Sequence, residues 1–541
     1  MTGWTGHLVI APIVVPMLAG AAMVLAGDRP GDRRRRIIVG LGLASTLLLL
    51  ALSGALLAAA DTPEVRTYRL GDWPASFAIV LALDRLSAMM VALSCALGFA
   101  AFVFSLARWQ RAGANFHPLL QFQIMGLNGA FLTGDLFNLF VFFEVMLAAS
   151  YGMVLHGSGT ARVRAGLHYI VINLVASLLF LVGVSVVYGI AGTLNMADLA
   201  TRMRGVAAAD RALLEAGLAV LGIAFLVKAA MWPLGFWLPG TYAAASAPAA
   251  AILSILSKVG IYAVLRVWSL LFGEGAGDSA GFGGVWLTVG GLLTIAFGSA
   301  AVLASQNLGR LAGASVLVSS GTLLAAIGLG QASVTGGALL YLAGSVPALG
   351  ALFLLVELVE RDRDVGADVL AVTREAFGTG EEDEEDGPGA RDAVGVPIPG
   401  TVAALGISFL ACTLLIAGLP PLAGFLAKFA MLAPLFAPGQ TAPPALTWVV
   451  TAALIFSGLA TVVAALRAGI EAFWTSPAGV PPRVGVIEFL PVALLLALCG
   501  ALTLGAGPAV EYTTAAAAAL HAPADYLRGV LGVAALPGGG R

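Results

Sequence analysis

Charge is what this 541-residue sequence has least of: Asp, Glu, Lys and Arg make up 11% of it, against roughly 25% in soluble domains. A water-soluble globular fold is excluded on that ground. Cysteine is scarcer still. Cys95, Cys412 and Cys499 stand apart within apolar runs, which leaves neither a disulfide framework nor a thiolate metal cluster. The five histidines, His7, His117, His156, His168 and His521, include no pair at ligand spacing. The glycines near 273–284 lack the strand-to-helix setting of a nucleotide-binding loop. No metal, haem, nucleotide or other cofactor is expected, and no nucleic-acid partner. Lysine is rarest among the charged residues: it supplies three of the 28 basic side chains, and arginine the other 25.

Apolar residues are abundant, at 59% of the chain with a mean hydropathy of +0.96. Runs of about 18 or more of them, each able to cross the ~30 Å hydrocarbon core as a helix, recur throughout. They lie near 7–26, 36–58, 78–107, 116–133, 136–155, 166–190, 214–237, 244–268, 283–304, 310–330, 334–358, 401–432, 445–467 and 487–507. The pattern predicts an all-α polytopic membrane protein with about fourteen transmembrane helices, a single membrane domain over 1–541. The first run has no positive residue before it and Arg29, Arg33, Arg34, Arg35 and Arg36 after it, the reverse of a cleavable signal peptide. It is expected to remain in the cell membrane as a span.

Arginine-rich loops belong on the cytoplasmic side. That rule places the first cluster, Arg108/Arg111 and Arg162/Arg164 inside and both termini outside. The loop with Arg202, Arg204 and Arg211 then falls outside, where Asp198, Asp210 and Glu215 accompany it. Residues 359–400 form the one long internal loop, with an acidic run from Glu381 to Asp386, and are expected to be a flexible cytoplasmic linker. The segment 487–541 adds a last helix and an outer tail, expected to lie along the surface or against a neighbouring subunit.

All three lysines, Lys228, Lys258 and Lys428, fall inside predicted spans rather than in loops. A preference for arginine accounts for the loops but not for that location. With Glu144, which has apolar neighbours on both sides, they would cost roughly 10 kcal/mol to bury if the terms add. Arginine keeps its proton in any protein setting, whereas a desolvated lysine can release one. The lysines are therefore candidate proton-relay groups, and an ion pair between Glu144 and Lys228 would satisfy both partners. Two of the lysines sit beside breaks in their spans, at Pro233, Pro239 and Gly240 in one case and at Gly418, Pro420 and Pro421 in the other. Broken helices at membrane depth point to a transport site. Lysine precedes the first break and follows the second, so the two are not a simple sequence repeat. Glu357, Arg266 and Arg467 lie toward span ends and are expected to reach the headgroups, and Asp84 with Arg85 to form a structural pair at the outer surface.

The segments Gly134-Asp-Leu-Phe-Asn-Leu-Phe-Val-Phe-Phe-Glu144, Gly192-Thr-Leu-Asn-Met-Ala-Asp-Leu-Ala200, Lys228-Ala-Ala-Met-Trp-Pro-Leu-Gly-Phe-Trp-Leu-Pro-Gly240 and Lys258-Val-Gly-Ile-Tyr-Ala-Val-Leu-Arg266 resemble the D subunit of the Mrp (Mnh) multisubunit cation/proton antiporter. That family is related to the antiporter-like subunits of respiratory complex I and membrane-bound hydrogenases. The likeness runs over about 75–470. It implies N-terminal helices over 1–107 and two five-helix inverted repeats, over 116–268 and 283–467, each with a discontinuous helix. It further implies Glu144 and Lys228 as an ion pair, Lys258 as a bridging group and Lys428 as a terminal lysine. The family's histidine in the eleventh helix is absent: the stretch reads Tyr341-Leu-Ala-Gly344-Ser345-Val-Pro347. Passage from Lys258 to Lys428 then falls to water, with Ser345 or Tyr341 as hydroxyl helpers.

The expected function is that of a transporter subunit rather than an enzyme, moving protons along Glu144, Lys228, Lys258 and Lys428 against Na+ or another monovalent cation. Its partners would be other hydrophobic subunits and membrane lipid. A redox-coupled pump module and an unrelated solute transporter are the alternatives.

Overall fold

The computed structural model describes residues 4–27, 32–74, 79–377, 400–438, 443–473 and 484–532. Arg29 and the acidic run 381–386 lie outside the described residues. Two helices, α1 (Ala11–Ala26) and α2 (Asp32–Ala60), lead into a hairpin of β1 (Arg66–Arg69) and β2 (Val80–Leu83). They pair antiparallel with Arg66 opposite Leu83. This small sheet departs from the all-helical expectation and delivers Asp84 to the start of α3 (Arg85–Ser105). There the Asp84 carboxylate accepts from Ser87 N while Ser87 Oγ accepts from Asp84 N, each at 2.9 Å, a reciprocal cap that satisfies two free amides of the first turn.

The next helices are α4 (Phe116–Leu132), α5 (Leu136–Leu155) and α6 (Thr160–Ala191), followed by the short α7 (Met196–Arg202). The seventh expected span, 214–237, is interrupted: α8 (Ala208–Lys228) ends at the lysine, and α9 (Trp237–Ala244) resumes after the Pro/Gly segment. The eighth contains a turn at residues 254–255 between α10 (Ala247–Leu253) and α11 (Leu256–Leu271). Then come α12 (Gly284–Ala304), α13 (Leu308–Gly328) and α14 (Ala332–Phe377). The twelfth is broken into α15 (Gly400–Ala417) and α16 (Ala423–Leu432), ahead of α17 (Pro444–Phe473), α18 (Val486–Leu504), α19 (Ala506–His521) and α20 (Ala524–Leu531).

Among the described residues, eleven helical segments are long and apolar enough to cross a membrane. The other three expected spans are helices that fall short for identifiable reasons. α1 and α4 have 16 and 17 residues, below the ~20 a full crossing needs, and α8 carries Asp210, Arg211, Glu215 and Lys228. The first part of the expected loop over 359–400 is helix, since α14 continues to Phe377, and residues 378–399 lie outside the described residues.

The apolar lengths of α10–α11 and α14 are buried inside the bundle; the other spans surround them. Glycine permits the tightest seams, since small residues let helix backbones meet where lipid offers no hydrophobic drive. Between α12 and α13, a Cβ at Gly321 would come within 2.7 Å of the Gly291 carbonyl oxygen, and one at Gly328 within 2.4 Å of the Thr288 nitrogen.

The expected Asp84–Arg85 pair is not what forms. Arg85 turns to Asp61 at 3.0 Å, and Asp84 takes both terminal nitrogens of Arg266, at 2.6 and 2.8 Å. Arg266 does not reach for headgroups; its residue is 2% exposed, and the Tyr526 ring lies 5.0 Å from its guanidinium carbon. A buried arginine needs a carboxylate more than it needs the surface. Burial opposes ionisation of Asp84, but the Arg266 charge and hydrogen bonds from Arg266 and Ser87 outweigh it and hold the carboxyl below its usual range. The pair's contribution is therefore present above the ordinary carboxylate pKa and lost only as pH falls through the lowered one.

The C-terminal segment, expected along the surface or on a neighbour, makes contacts with this chain. Tyr512 donates to Arg85 O at 3.0 Å, Arg69 donates to Val530 O at 3.0 Å, and Thr67 donates to Gly529 O at 3.3 Å. Thermal unfolding of the detergent-solubilised complex tests the buried pair. Arg266→Leu alone should destabilise by about 3–5 kcal/mol, and Arg266→Leu with Asp84→Leu should recover part of that loss.

Candidate functional site

The two broken helices each bring a lysine to the end of their first half, despite the opposite order in sequence. Lys228 is the last residue of α8. Lys428 lies in α16, after its break, but its Nζ reaches back to donate to Ala417 O at 2.8 Å, and Ala417 is the last residue of α15. Both ammonium-bearing side chains thus belong to the C-terminal end of a half-helix, where unpaired carbonyls carry the negative end of the helix dipole. Gly418 makes the second arrangement possible. Its φ is +76°, and a Cβ there would sit 2.7 Å from Cδ of Lys428. In the first break Met231 N donates to Leu226 O and Trp237 Nε1 to Val227 O, at 3.0 and 3.3 Å, so exposed carbonyls of the last turn find donors.

Lys228 is buried and its Nζ has no hydrogen-bond partner among the described residues. The Phe143 ring centroid lies 5.2 Å away, a cation–π contact that partly replaces hydration. The direct ion pair expected with Glu144 is not made. The carboxylate, half-buried on α5, accepts instead from Ser177 Oγ of α6 at 2.5 Å, while remaining near enough to act on Lys228 through its charge. Ser150 and Tyr169 hydroxyls meet at 2.6 Å between the same two helices.

Lys258 is fully buried in the first turn of α11. Its Nζ donates to Ser320 Oγ at 3.1 Å, with Val316 O at 3.5 Å. Next to Ser320 on α13, Ser319 Oγ donates to Ser345 Oγ at 3.3 Å, and Tyr341 lies four residues before Ser345. Ser345 and Tyr341, both named from the sequence, lie buried on α14. Pro347 has no N–H to offer the Ala343 carbonyl one turn earlier, so one bond of the helix ladder is missing beside them. Gly344 borders the start of α16: a Cβ there would be 3.8 Å from Ala423 Cβ, and α16 carries Lys428.

Ser177, Ser319, Ser320 and Thr322 escape a search for charged residues. The available signal is the repetition of hydroxyls at Ser315, Ser319, Ser320 and Thr322 on an otherwise apolar helix. Glu357, expected at the headgroups, accepts from Trp109 Nε1 at 2.7 Å and from Arg361 at 3.1 Å. Arg467 donates to Leu303 O and Ser305 O, each at 2.8 Å. Among the described residues no group of three or more His, Cys, Asp or Glu could hold a metal ion.

Lysines at the ends of discontinuous helices inside a polytopic bundle define a class, the membrane proteins described as NADH:quinone oxidoreductase/Mrp antiporter, whose family model matches residues 133–375. Within that class the chain belongs to the D subunits of Mrp-type multisubunit cation/proton antiporters. It is 56% identical to a probable K(+)/H(+) antiporter D subunit from Rhizobium meliloti, over 98% of both chains. It is 31% identical to the Na(+)/H(+) antiporter D subunit from Alkalihalophilus pseudofirmus, over 97% of this chain and 99% of the relative. A chain in the structure of the Mrp complex from Dietzia sp. shares the fold with a TM-score of 0.80 at 24% identity, covering 98% of this chain and 100% of that one.

Gly418→Ala forces a side chain into left-handed backbone, at a cost of about 1–2 kcal/mol, and into the lysine stem. Proton flux in everted vesicles should fall at least tenfold with the complex still assembled. Gly406→Ala, where a Cβ meets nothing within 4 Å, should leave flux unchanged.

Proposed function

We propose that this subunit carries the protons of a monovalent cation/proton antiporter through its interior, with Glu144, Lys228, Lys258 and Lys428 as stations. The observation that carries the reading is the shared placement of Lys228 and Lys428 at half-helix C-termini, with Lys258 held by Ser320 between them. Each ammonium is desolvated, so holding the proton costs energy that a neighbouring charge can tip either way. Glu144 beside Lys228 supplies such a charge. The hydroxyls of Ser320, Ser319, Ser345 and Tyr341 carry the proton from Lys258 toward Lys428, each able to accept one hydrogen bond while donating another.

Two halves over 116–268 and 283–467 act as inverted repeats. Five helical spans fall in each, and the fourth is the broken one, α8/α9 in the first and α15/α16 in the second. The end of the bundle with Arg35, Arg108, Arg162 and Arg361 is the cytoplasmic one, and both termini are outside. On the opposite end Arg202 pairs with Asp198 and Arg211 with Asp278, which supports placing that loop outside. The driven ion is potassium or sodium, with the 56% identity to a probable K(+)/H(+) antiporter D subunit favouring potassium. Other hydrophobic subunits of the same complex are its partners.

Lys228→Ala and Glu144→Ala should abolish cation-driven proton flux in everted vesicles while the protein still inserts. Lys258→Arg should do the same, because arginine keeps the charge but cannot release the proton. Wild-type flux from these variants would overturn the reading, and running the assay with K+ and with Na+ identifies the ion.

A further inference from the structure

At the arginine-bearing end of the bundle a cleft of about 960 Å³ lies between the start of α6 and the end of α17, over a floor made by α9 and the start of α13. That volume is at the upper end of the ~300–1,000 Å³ of small-molecule sites. Small residues keep it open. Ala165, Gly240, Ala243 and Ala468 line it, and a Cβ built on Gly240 meets nothing within 4 Å. Its edges are tied down by hydrogen bonds. Arg162 Nε donates to Ala244 O at 2.9 Å, which fixes α6 to α9, and Arg467 fixes α17 to the end of α12 through Leu303 O and Ser305 O.

Charges of both signs face this cleft from four different helices: Arg164 of α6, Arg310 of α13, Glu360 of α14 and Glu471 of α17. The guanidinium groups of Arg164 and Arg310 enter no ion pair or hydrogen bond among the described residues. His168 Nδ1 donates to Arg164 O at 3.0 Å, which holds the imidazole beside the first arginine. Glu360 accepts from Leu308 N at 3.0 Å. An ionised carboxylate has about four acceptor sites, so each glutamate can take a further donor besides those it already holds. A simple anion on the arginines would face two carboxylates, and a simple cation on the carboxylates would face two arginines. An occupant with one charge of each sign satisfies both pairs.

The cleft also continues into an apolar surface. Arg164, His168, Val171, Val175 and Val182 follow one another at helical spacing on one face of α6, and all are exposed. Beneath the Gln306 corner of the cleft, Phe297 and Leu293 of α12 are exposed as well. The charged rim therefore passes into a strip suited to hydrocarbon.

We propose that this cleft holds the headgroup of a zwitterionic aminophospholipid, with its phosphate on Arg164 and Arg310, its ammonium toward Glu471 and Glu360, and an acyl chain along the exposed strip of α6. Guanidinium groups bind phosphate through charge-assisted hydrogen bonds, and basic pockets between membrane helices are suited to lipid headgroups. The two carboxylates disfavour a lipid that carries net negative charge. The proton stations take no part in this assignment.

Native mass spectrometry of the assembled complex, exchanged into phosphatidylethanolamine or phosphatidylglycerol of the same acyl chains, tests it. The wild-type complex should retain phosphatidylethanolamine at least fivefold over phosphatidylglycerol. Arg164→Gln with Arg310→Gln should lower that retention at least tenfold, and Gly240→Trp, which places an indole in the open space, should do the same. Glu471→Gln should keep the lipid but lose the preference between the two headgroups. Arg204→Gln, an exposed arginine outside the cleft, should change nothing. Excess soluble phosphoethanolamine or inorganic phosphate should not displace the lipid. Equal retention of both lipids by the wild type, or a preference that survives Glu471→Gln, overturns the aminophospholipid. Retention unchanged by the double arginine variant and by Gly240→Trp overturns the cleft as the site, as it would if a neighbouring subunit filled it. Displacement by either soluble phosphate would show a site for free anions and overturn the lipid.

Discussion

An ammonium group at the depth of a bilayer has to be offered some substitute for water by the protein, an oxygen or an aromatic face, and the architecture of this chain follows from how it does so. An unbroken helix has no carbonyl to spare, since every one is bound four residues on. Breaking the helix releases a final turn of carbonyls with the negative end of the dipole behind them. Lys428 takes Ala417 O by folding back across Gly418. Lys228, already at the end of its half-helix, makes no such bond and rests against Phe143. Lys258 sits instead at the turn between α10 and α11 and is met by α13 from the side. The same need that breaks the helices makes the bundle around them thick, because a break can be tolerated only where protein, and not lipid, surrounds it.

Much of this was legible in the sequence because the relevant residues violate composition. Three lysines in an arginine-rich chain, all in apolar runs, and prolines beside two of them are visible without any structure. The equivalence of the two breaks was not visible. In sequence Lys228 precedes its prolines and Lys428 follows its own, and only the fold-back of a four-carbon stem brings the second ammonium to the same kind of helix end. Asp84 and Arg266 are 182 residues apart, so neighbouring Arg85 was the natural sequence partner, and chain reversal at the hairpin decided otherwise. The hydroxyls of α13 carry no charge and do not interrupt an apolar run, so nothing in hydropathy separates them from ordinary interior serines.

The Asp84–Arg266 pair also links the helix of the central lysine to the end of the bundle that carries the β1–β2 hairpin. Lys258, Tyr262 and Arg266 are spaced four residues apart along α11, and Tyr262 donates to Phe131 O of α4 at 2.6 Å. The helix that holds the central lysine is thereby pinned to α4 and to the start of α3, with Tyr526 of α20 closing over the pair. A site that must discriminate between protonated and deprotonated states gains from supports that do not shift when the charge does.

The hydroxyls between Lys258 and Lys428 have a further consequence. In the proposed route a hydroxyl that receives a hydrogen from behind and gives up its own ahead is left facing forward, and must turn about its C–O bond before it can serve again. An imidazole in that place would have two nitrogens to keep in the correct protonation state and a ring to swing through packed helices. The O–H of Ser319 or Ser345 is light and rotates without moving a heavy atom. In that route the middle of the molecule would reset by spinning in place, at the pace of bond rotation rather than of side-chain rearrangement.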